Sequence, residues 1–506
     1  MDINNSSDNK IKILFRILAI LLIIVIIVSE ASFITRRKDS QRKYGDYIDI
    51  AGDVDVLLLG SSHMMNAVSP AQLFYERGIT AYNMAKPGGM LPESYWTYKL
   101  ARQYGTPKCV VVDLWSLDRD YKYVDVMNGT EDEDDIRNSV SLLHTNMDAW
   151  PMSGVKVQAV CDLLSSFKTR AEFLFDFSIY HSRWSDLTKD DFISDNRASD
   201  KKTYVLGAEA RKEVFINNNM YEPEDKNVNL EGETVSTHYL RKLVEECMAD
   251  GIDVVLTFMP MGGSYYQDFQ AVNYGKEFAQ EYGLEFVNLL DQQSQTVIDY
   301  GSDMSDDSHV NEFGMYKITS YLGQKLSEYE SVVDHRPEEG FDLYKAEAWS
   351  WNEGRYNAVL EEDDLYKLLG YAEMVRDTDI AVYIRAGSAA FGDDYIVRQL
   401  GKIASSDGIQ AAKEEKGPYL LVRNSREGSA GIYEAVGEQQ DAKVSLPTGS
   451  AEYIGVKDFA GLYPDGDYDN NLLDMEEHYN SQMQIIIYDK DGQIAAKRYY
   501  DCDWDS

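Results

Sequence analysis

Short apolar runs recur between Val54 and Asp291, each followed by a helix-like stretch, and this alternation limits the possible folds more than any other feature of the chain. "VDVLLLG" from Val54, "TAYNMA" from Thr80 and "CVVVDLW" from Cys109 read as strands. The third is apolar almost without interruption, as expected of a strand covered on both faces. "PAQLFYERG" between the first two reads as a short helix, with Ser69 as N-cap, Pro70 at its first position and Gly78 at its end. A second helix is expected from Glu93 to Tyr104. Farther on come the helix "STHYLRKLVEECMADG", the strand "DVVLTFMP", the helix "AVNYGKEFAQEYG", the strand "EFVNLLD" and a helix from Asn311 to about Ser327. Repeated β-α units imply right-handed crossovers and a parallel sheet between two helical layers, a three-layer α/β/α domain.

At 506 residues the chain is long enough for two or three domains. The β-α pattern stops after Leu326, and "SVVDHRPEEG" (Ser331 to Gly340) reads as a polar linker. The remainder, 331–506, has the strand-like pieces "DIAVYIRAG", "GPYLLVRN" and a hairpin around Lys490-Asp491-Gly492, which predicts a smaller α+β or β-rich accessory domain. No catalytic grouping is found in it, so a binding or packing role is expected. Residues 116–235 form a long insertion between the third and fourth strands, expected to be helical. Its acidic run "EDEDD" (131–135) reads as a solvated face, and its aromatic patches make it a candidate lid or substrate platform.

The N-terminus is different in kind. "ILAILLIIVIIV" (Ile17 to Val28) would span only about 18 Å as a helix, but extension from Ile11 to Ile34 reaches about 36 Å, enough for a bilayer core of roughly 30 Å. Residues 1–38 are therefore read as a cytoplasmic tail and an uncleaved signal-anchor transmembrane helix, with 39–330 forming the α/β domain. The competing reading is a cleaved signal peptide, because Ser29-Glu30-Ala31 has the small-x-small form of a cleavage site. Basic residues after the span outnumber those before it, so local charge does not set the orientation.

A net charge of −37 argues against nucleic acid as a partner, since such binding relies on Lys and Arg against phosphate. Four scattered cysteines, with no CxxC or His-rich spacing, predict neither a disulfide framework nor a zinc site. No metal or organic cofactor is expected.

The first strand ends in "GSSHMMNAVSP" (Gly60 to Pro70), which would present small, reactive side chains at the carboxyl edge of a parallel sheet, where open α/β folds place their ligands. Esterase-type chemistry needs a serine, an imidazole to take its proton, a carboxylate to orient that imidazole and donors for the oxyanion. "SDDSHVNEFG" (Ser305 to Gly314) supplies Asp306 and His309 from one short loop before the last helix. Asp307 is the rival to Asp306, and spacing favours Asp306. "NMAKPGGM" (Asn83 to Met90) offers the backbone N–H groups of Gly88 and Gly89 as an oxyanion site. Asn83 and His63 are counted with them as oxyanion or substrate-binding candidates, His63 in a positioning role.

With these blocks in place the chain resembles the SGNH/GDSL hydrolase superfamily. Gly60-Ser61-Ser62 matches its first block, Gly-Asp-Ser, and Asp306-x-x-His309 matches its last. The resemblance implies a flavodoxin-like fold, Ser62 rather than Ser61 as nucleophile, Asp306 as the orienting acid and His309 as the base. "LLLGSSHMMNAVSP", "AYNMA" and "DDSHVNEFG" are similar to the membrane-anchored DltD-like branch, the teichoic-acid D-alanylation proteins and related surface-polysaccharide acyltransferases. That branch implies an extracytoplasmic catalytic domain on a single-pass membrane protein. It also implies an acylated cell-surface glycan or teichoic-type polymer as substrate, acetyl or D-alanyl as the acyl group, and a multi-spanning membrane O-acyltransferase as partner. The superfamily's third block carries an Asn donor, whereas the matching strand here ends "VVVDLWSLD", without one. Two functions follow as expectations: a serine esterase or O-acyltransferase, and a catalytically inactive scaffold that binds a polysaccharide or a membrane acyltransferase.

Overall fold

The computed structural model of the chain describes residues 3–35, 41–117, 143, 144, 146–175, 177–192, 205–216, 223–290, 297–425, 431–437, 442–446, 449–454, 461–464 and 481–502. Helix α1 (Ile3–Thr35) contains a stretch, Lys10–Thr35, with an 18-residue window of mean hydropathy 3.1, long and apolar enough to cross a membrane. Helix α2 (Gln41–Ile50) then packs on the α/β domain through the buried Tyr44 and Tyr47.

The α/β domain follows in chain order. It comprises β1 (Val56–Leu59), α3 (Ser62–Ala67), α4 (Pro70–Arg77), β2 (Ala81–Asn83), α5 (Leu91–Ala101) and β3 (Cys109–Asp113). The insertion contributes α6 (Gly154–Leu163), α7 (Phe167–Leu174) and α8 (Phe177–Tyr180). Then come α9 (Val235–Ala249), β4 (Asp253–Phe258), α10 (Tyr266–Tyr282), β5 (Glu285–Asn288) and α11 (Glu312–Leu326). The five strands are parallel in the order β2-β1-β3-β4-β5. Alternate residues feed two cores: Leu57, Leu59, Val110 and Val112 face α5, α9 and α10, while Val56, Leu58, Cys109 and Val111 face α11. The chain reverses direction along the sheet between β1 and β3, so the carboxyl end of β1 lies at the switch point, where open α/β sheets place their ligands.

Local signals account for much of this. Ser69 Oγ accepts the N–H of Gln72 and caps α4, Pro70 takes its first position, and Gly78 ends it at φ +71°. Helix α5 starts at Leu91, two residues before the expected Glu93, with Pro92 in its first turn. The acidic run 131–135 lies outside the described residues.

The rest of the chain builds an α+β unit. It contains α12 (Asp342–Glu361), α13 (Leu365–Met374), β6 (Asp379–Ile384), α14 (Asp394–Ala404), α15 (Gly408–Glu415), β7 (Tyr419–Arg423) and β8 (Ile432–Val436). It continues through β9 (Ala442–Leu446), β10 (Gly449–Ile454), β11 (Gly461–Pro464), β12 (Met483–Tyr488) and β13 (Ile494–Tyr500). An antiparallel sheet, β13-β12-β6-β7-β8, packs one face on the helices, and its other face meets Ala451 and Leu462 of a small sheet, β11-β10-β9. The β12–β13 turn runs through Gly492 at φ +73°. The polar segment 331–340 is docked rather than loose: His335 donates its N–H to Gly78 O, and its ring meets Asp55 at 2.8 Å. Tyr344 and Ala348 of α12 then join the core of the α/β domain, Tyr344 stacking on Phe74.

Candidate active site

Small side chains at the end of β1 let the chain turn tightly against β3. Gly60 has φ +146°, and a Cβ there would lie 2.6 Å from Cβ of Asp113, so only glycine fits. Ser61 is buried and serves the turn. Its hydroxyl donates to Asp113 Oδ2 at 3.1 Å and accepts the His63 N–H at 3.2 Å, capping α3. Asp113 also accepts the Met259 N–H, and burial, working against these bonds, pushes its carboxyl up to about 7. With Ser61 so held, Ser62 opens α3 half-exposed, and its Oγ lies 2.8 Å from Nε2 of His309.

His309 comes from a loop clamped on both sides. Asn311 Oδ1 caps α11 by accepting the N–H groups of Phe313 and Gly314, while its amide donates to Ser302 O and Met304 O. The buried Asp303 carboxylate meets Lys317 at 2.9 Å, and Lys402 of α14 reaches Asp299 at 2.8 Å. Between these anchors Asp306 Oδ1 accepts the N–H groups of Ser308 and His309, at 2.8 and 2.7 Å. The His309 Nδ1 lies 3.0 Å from both carboxylate oxygens. Serine, imidazole and carboxylate are therefore joined in one hydrogen-bonded series, although Ser62 and His309 are 247 residues apart.

A fourth group completes this side. Arg211 donates through Nη1 to Asp306 Oδ2. Its own carbonyl accepts the Glu312 N–H, which ties the segment 205–216 to the start of α11. Burial raises the Asp306 pKa, but the N–H groups and the imidazole beside it outweigh that and hold it below the usual value. Burial lowers the His309 pKa, Asp306 opposes, Arg211 adds to the lowering, and the net position is below the usual 6.5. A neutral imidazole at neutral pH is the form that can accept a proton from Ser62.

Beside β1, the turn after β2 abuts Gly60. Lys86 donates its N–H to Gly60 O at 3.1 Å, and a Cβ on Gly89 would lie 2.5 Å from that same oxygen. The Gly89 N–H is used within the turn, donating to Lys86 O. Gly88 holds φ +59° at the corner, and among the described residues its N–H donates to no protein acceptor. The turn is backed by the insertion: Asn146 donates to Pro87 O and to the buried Glu93, and Lys86 lies over the Trp150 ring. Asn83 is placed differently from its expected role. It is fully buried, its amide donates to Met64 O and Val68 O, and its Oδ1 accepts the Ala85 N–H, so it fastens α3 to β2. His63 packs edge-on against Trp115 and tilts against the His309 ring, both at 5.1 Å.

No family model matches this chain, and no curated protein matches it either. The geometry brings together Ser62, His309 and Asp306, with Gly88 and Gly89 across from them, and leaves Asn83 to support the turn. Among the described residues no group of three or more His, Cys, Asp or Glu side chains is placed to hold a metal ion. Two residues escape sequence reasoning. Arg211 sits in a polar stretch with nothing to mark its partner. Asp113 does carry a signal, a carboxylate closing an otherwise apolar strand at the carboxyl edge of the sheet.

Proposed function

We propose that the chain is an SGNH-type serine hydrolase or O-acyltransferase, anchored in a membrane by α1, that acts on acyl esters of cell-surface polysaccharide. The hydrogen-bonded series Ser62–His309–Asp306 carries this reading. Ser62 Oγ attacks the acyl carbonyl carbon while His309 Nε2 takes its proton, and Asp306 holds the imidazolium that forms. The negative charge on the carbonyl oxygen is met by backbone donors, for which the Ser62 N–H at the head of α3 and the Gly88 N–H are the candidates. Collapse breaks the ester bond, and His309 returns the proton to the departing sugar oxygen. The acyl group then rests on Ser62 until water or another sugar hydroxyl, deprotonated by His309, takes it. The resemblance favours transfer of an acetyl or D-alanyl group, an extracytoplasmic site and a multi-spanning membrane O-acyltransferase upstream.

The second reading, a scaffold that binds polysaccharide or the acyltransferase without chemistry, draws on Asp113 ending β3 where the superfamily places an Asn donor. Hydrolysis of p-nitrophenyl acetate by the purified full chain separates the two. The enzyme reading expects turnover that Ser62→Ala and His309→Ala each reduce to background; equal rates in all three proteins would favour the scaffold.

A further inference from the structure

Helix α1 changes character abruptly along its length. Its large apolar side chains from Ile11 to Ile27 are 46–69% exposed, whereas Ser32 and Thr35 are buried. What covers them is the insertion: Phe177 donates its N–H to Ser32 Oγ at 3.0 Å, and Arg183 Nη1 donates to Thr35 O at 2.7 Å. Helix α8 and the two 3₁₀ turns that follow, His181–Asp186 and Lys189–Phe192, all pack against α1. This collar also carries large apolar side chains that are exposed to solvent. Phe167 is 85% exposed, Trp184 61%, Phe192 58% and Phe175 42%. Four such residues within one short stretch make more exposed apolar surface than scattered surface residues require.

Depth decides what covers them. From Val28, where the exposed apolar run of α1 ends, to Ser32, which the collar meets, the helix rises about 6 Å. The head-group layer of one leaflet is about 5–8 Å thick. With α1 across a bilayer, the collar therefore lies at the head-group level, where Trp and Phe are favoured and Lys side chains reach outward to water and phosphate. Lys168, with 88% of its side chain exposed, and the exposed Lys189 lie in the same stretch.

We propose that residues 167–175 and 177–192 are a membrane-contact collar, in which Phe167, Phe175, Trp184 and Phe192 enter the head-group–acyl boundary of the leaflet from which α1 emerges. This rests on the reading of α1 as membrane-spanning. The collar fixes the domain against the bilayer instead of leaving it on a tether, and the start of α2 sets which edge is near. Lys43 Nζ donates to Ala85 O, beside the carboxyl end of β2, while Tyr47 farther along α2 donates to Ala101 O at the far end of α5. Helix α2 thus begins at the sheet edge that bears Ser62. The chain from Thr35 to Gln41 reaches at most about 21 Å. The Ser62 edge is consequently the membrane-proximal one.

The test uses the full chain, with the exposed Cys161 changed to Ser, reconstituted alone into phosphatidylcholine–phosphatidylglycerol vesicles. Bimane is placed on Phe167→Cys or Trp184→Cys in the collar, on Ile20→Cys in α1, or on Gln410→Cys in the C-terminal unit. Lipids carrying a spin label near the head group or deep in the acyl chain serve as quenchers. Fluorophosphonate labelling or circular dichroism checks each variant's fold. The proposal expects blue-shifted collar emission, quenched severalfold more than Gln410→Cys and more by the shallow label than the deep one, with Ile20→Cys quenched by the deep label. Collar labels that behave like Gln410→Cys while Ile20→Cys is quenched would overturn the collar but leave the span standing; such a face would then await a protein partner. An unquenched Ile20→Cys would remove the membrane-spanning reading, and the collar with it.

Discussion

Arg211 and Asp306, 95 residues apart, form an ion pair on a carboxylate that His309 also faces. The carboxylate is thus held from both sides: backbone N–H groups fix Oδ1, and the guanidinium fixes Oδ2. Arg211 does two opposing things. It steadies the group that orients His309, and its charge disfavours a second cation on the ring.

Replacing Arg211 by Gln should separate these effects. The rate of ester hydrolysis falls by roughly tenfold, less than the 10²–10⁴ that a general base supplies. The apparent pKa of the acid limb rises, because the cation beside the imidazole is gone. Rate–pH profiles of the two proteins measure both.

The wild-type profile has a definite sign. His309 must be neutral to accept the Ser62 proton, and its pKa lies below the usual 6.5. Activity should therefore be flat around neutral pH and fall only as the pH drops below 6.5. An acid limb above 7 would contradict the lowered pKa.

The paired serines should part company. Ser61→Ala removes a hydrogen bond to the buried Asp113 and the cap on α3, at a cost of about 1–2 kcal/mol, but leaves Ser62, the proposed nucleophile, in place. Ser62→Ala should leave the unfolding midpoint near that of wild type and remove all turnover. Thermal unfolding beside p-nitrophenyl acetate hydrolysis reads both variants.

Gly89 offers a steric test. Its Cβ position lies 2.5 Å from Gly60 O, so Gly89→Ala must push the 86–89 turn away from β1. If this turn carries the proposed oxyanion donor, displacing it should lower the rate by on the order of a hundredfold. A rate within twofold of wild type would mean that this turn does not contribute to the site.

Much of this was legible because its signals are local. Ser69, Pro70 and Gly78 delimit α4, and Asn311 opens α11 where the apolar spacing resumes. The apolar β3 run marks a strand buried on both faces, and Ser62, Asp306 and His309 sit where strand ends or helix starts place them. What was not legible depends on distant segments meeting. Nothing near Arg211 marks Asp306 as its partner, and nothing in "TAYNMA" tells that the Asn83 amide binds the carbonyls of Met64 in α3 and Val68 just after it. The segment 331–340 is polar in composition, yet His335 finds Asp55 across the molecule.

Fluorophosphonate labelling of the full chain in detergent, followed by peptide mass mapping, tests the central claim most directly. An activated nucleophile predicts one covalent adduct, on Ser62, lost in Ser62→Ala and slowed in His309→Ala. Folded wild-type protein that takes no adduct, or takes it on another residue, would contradict the serine-hydrolase reading.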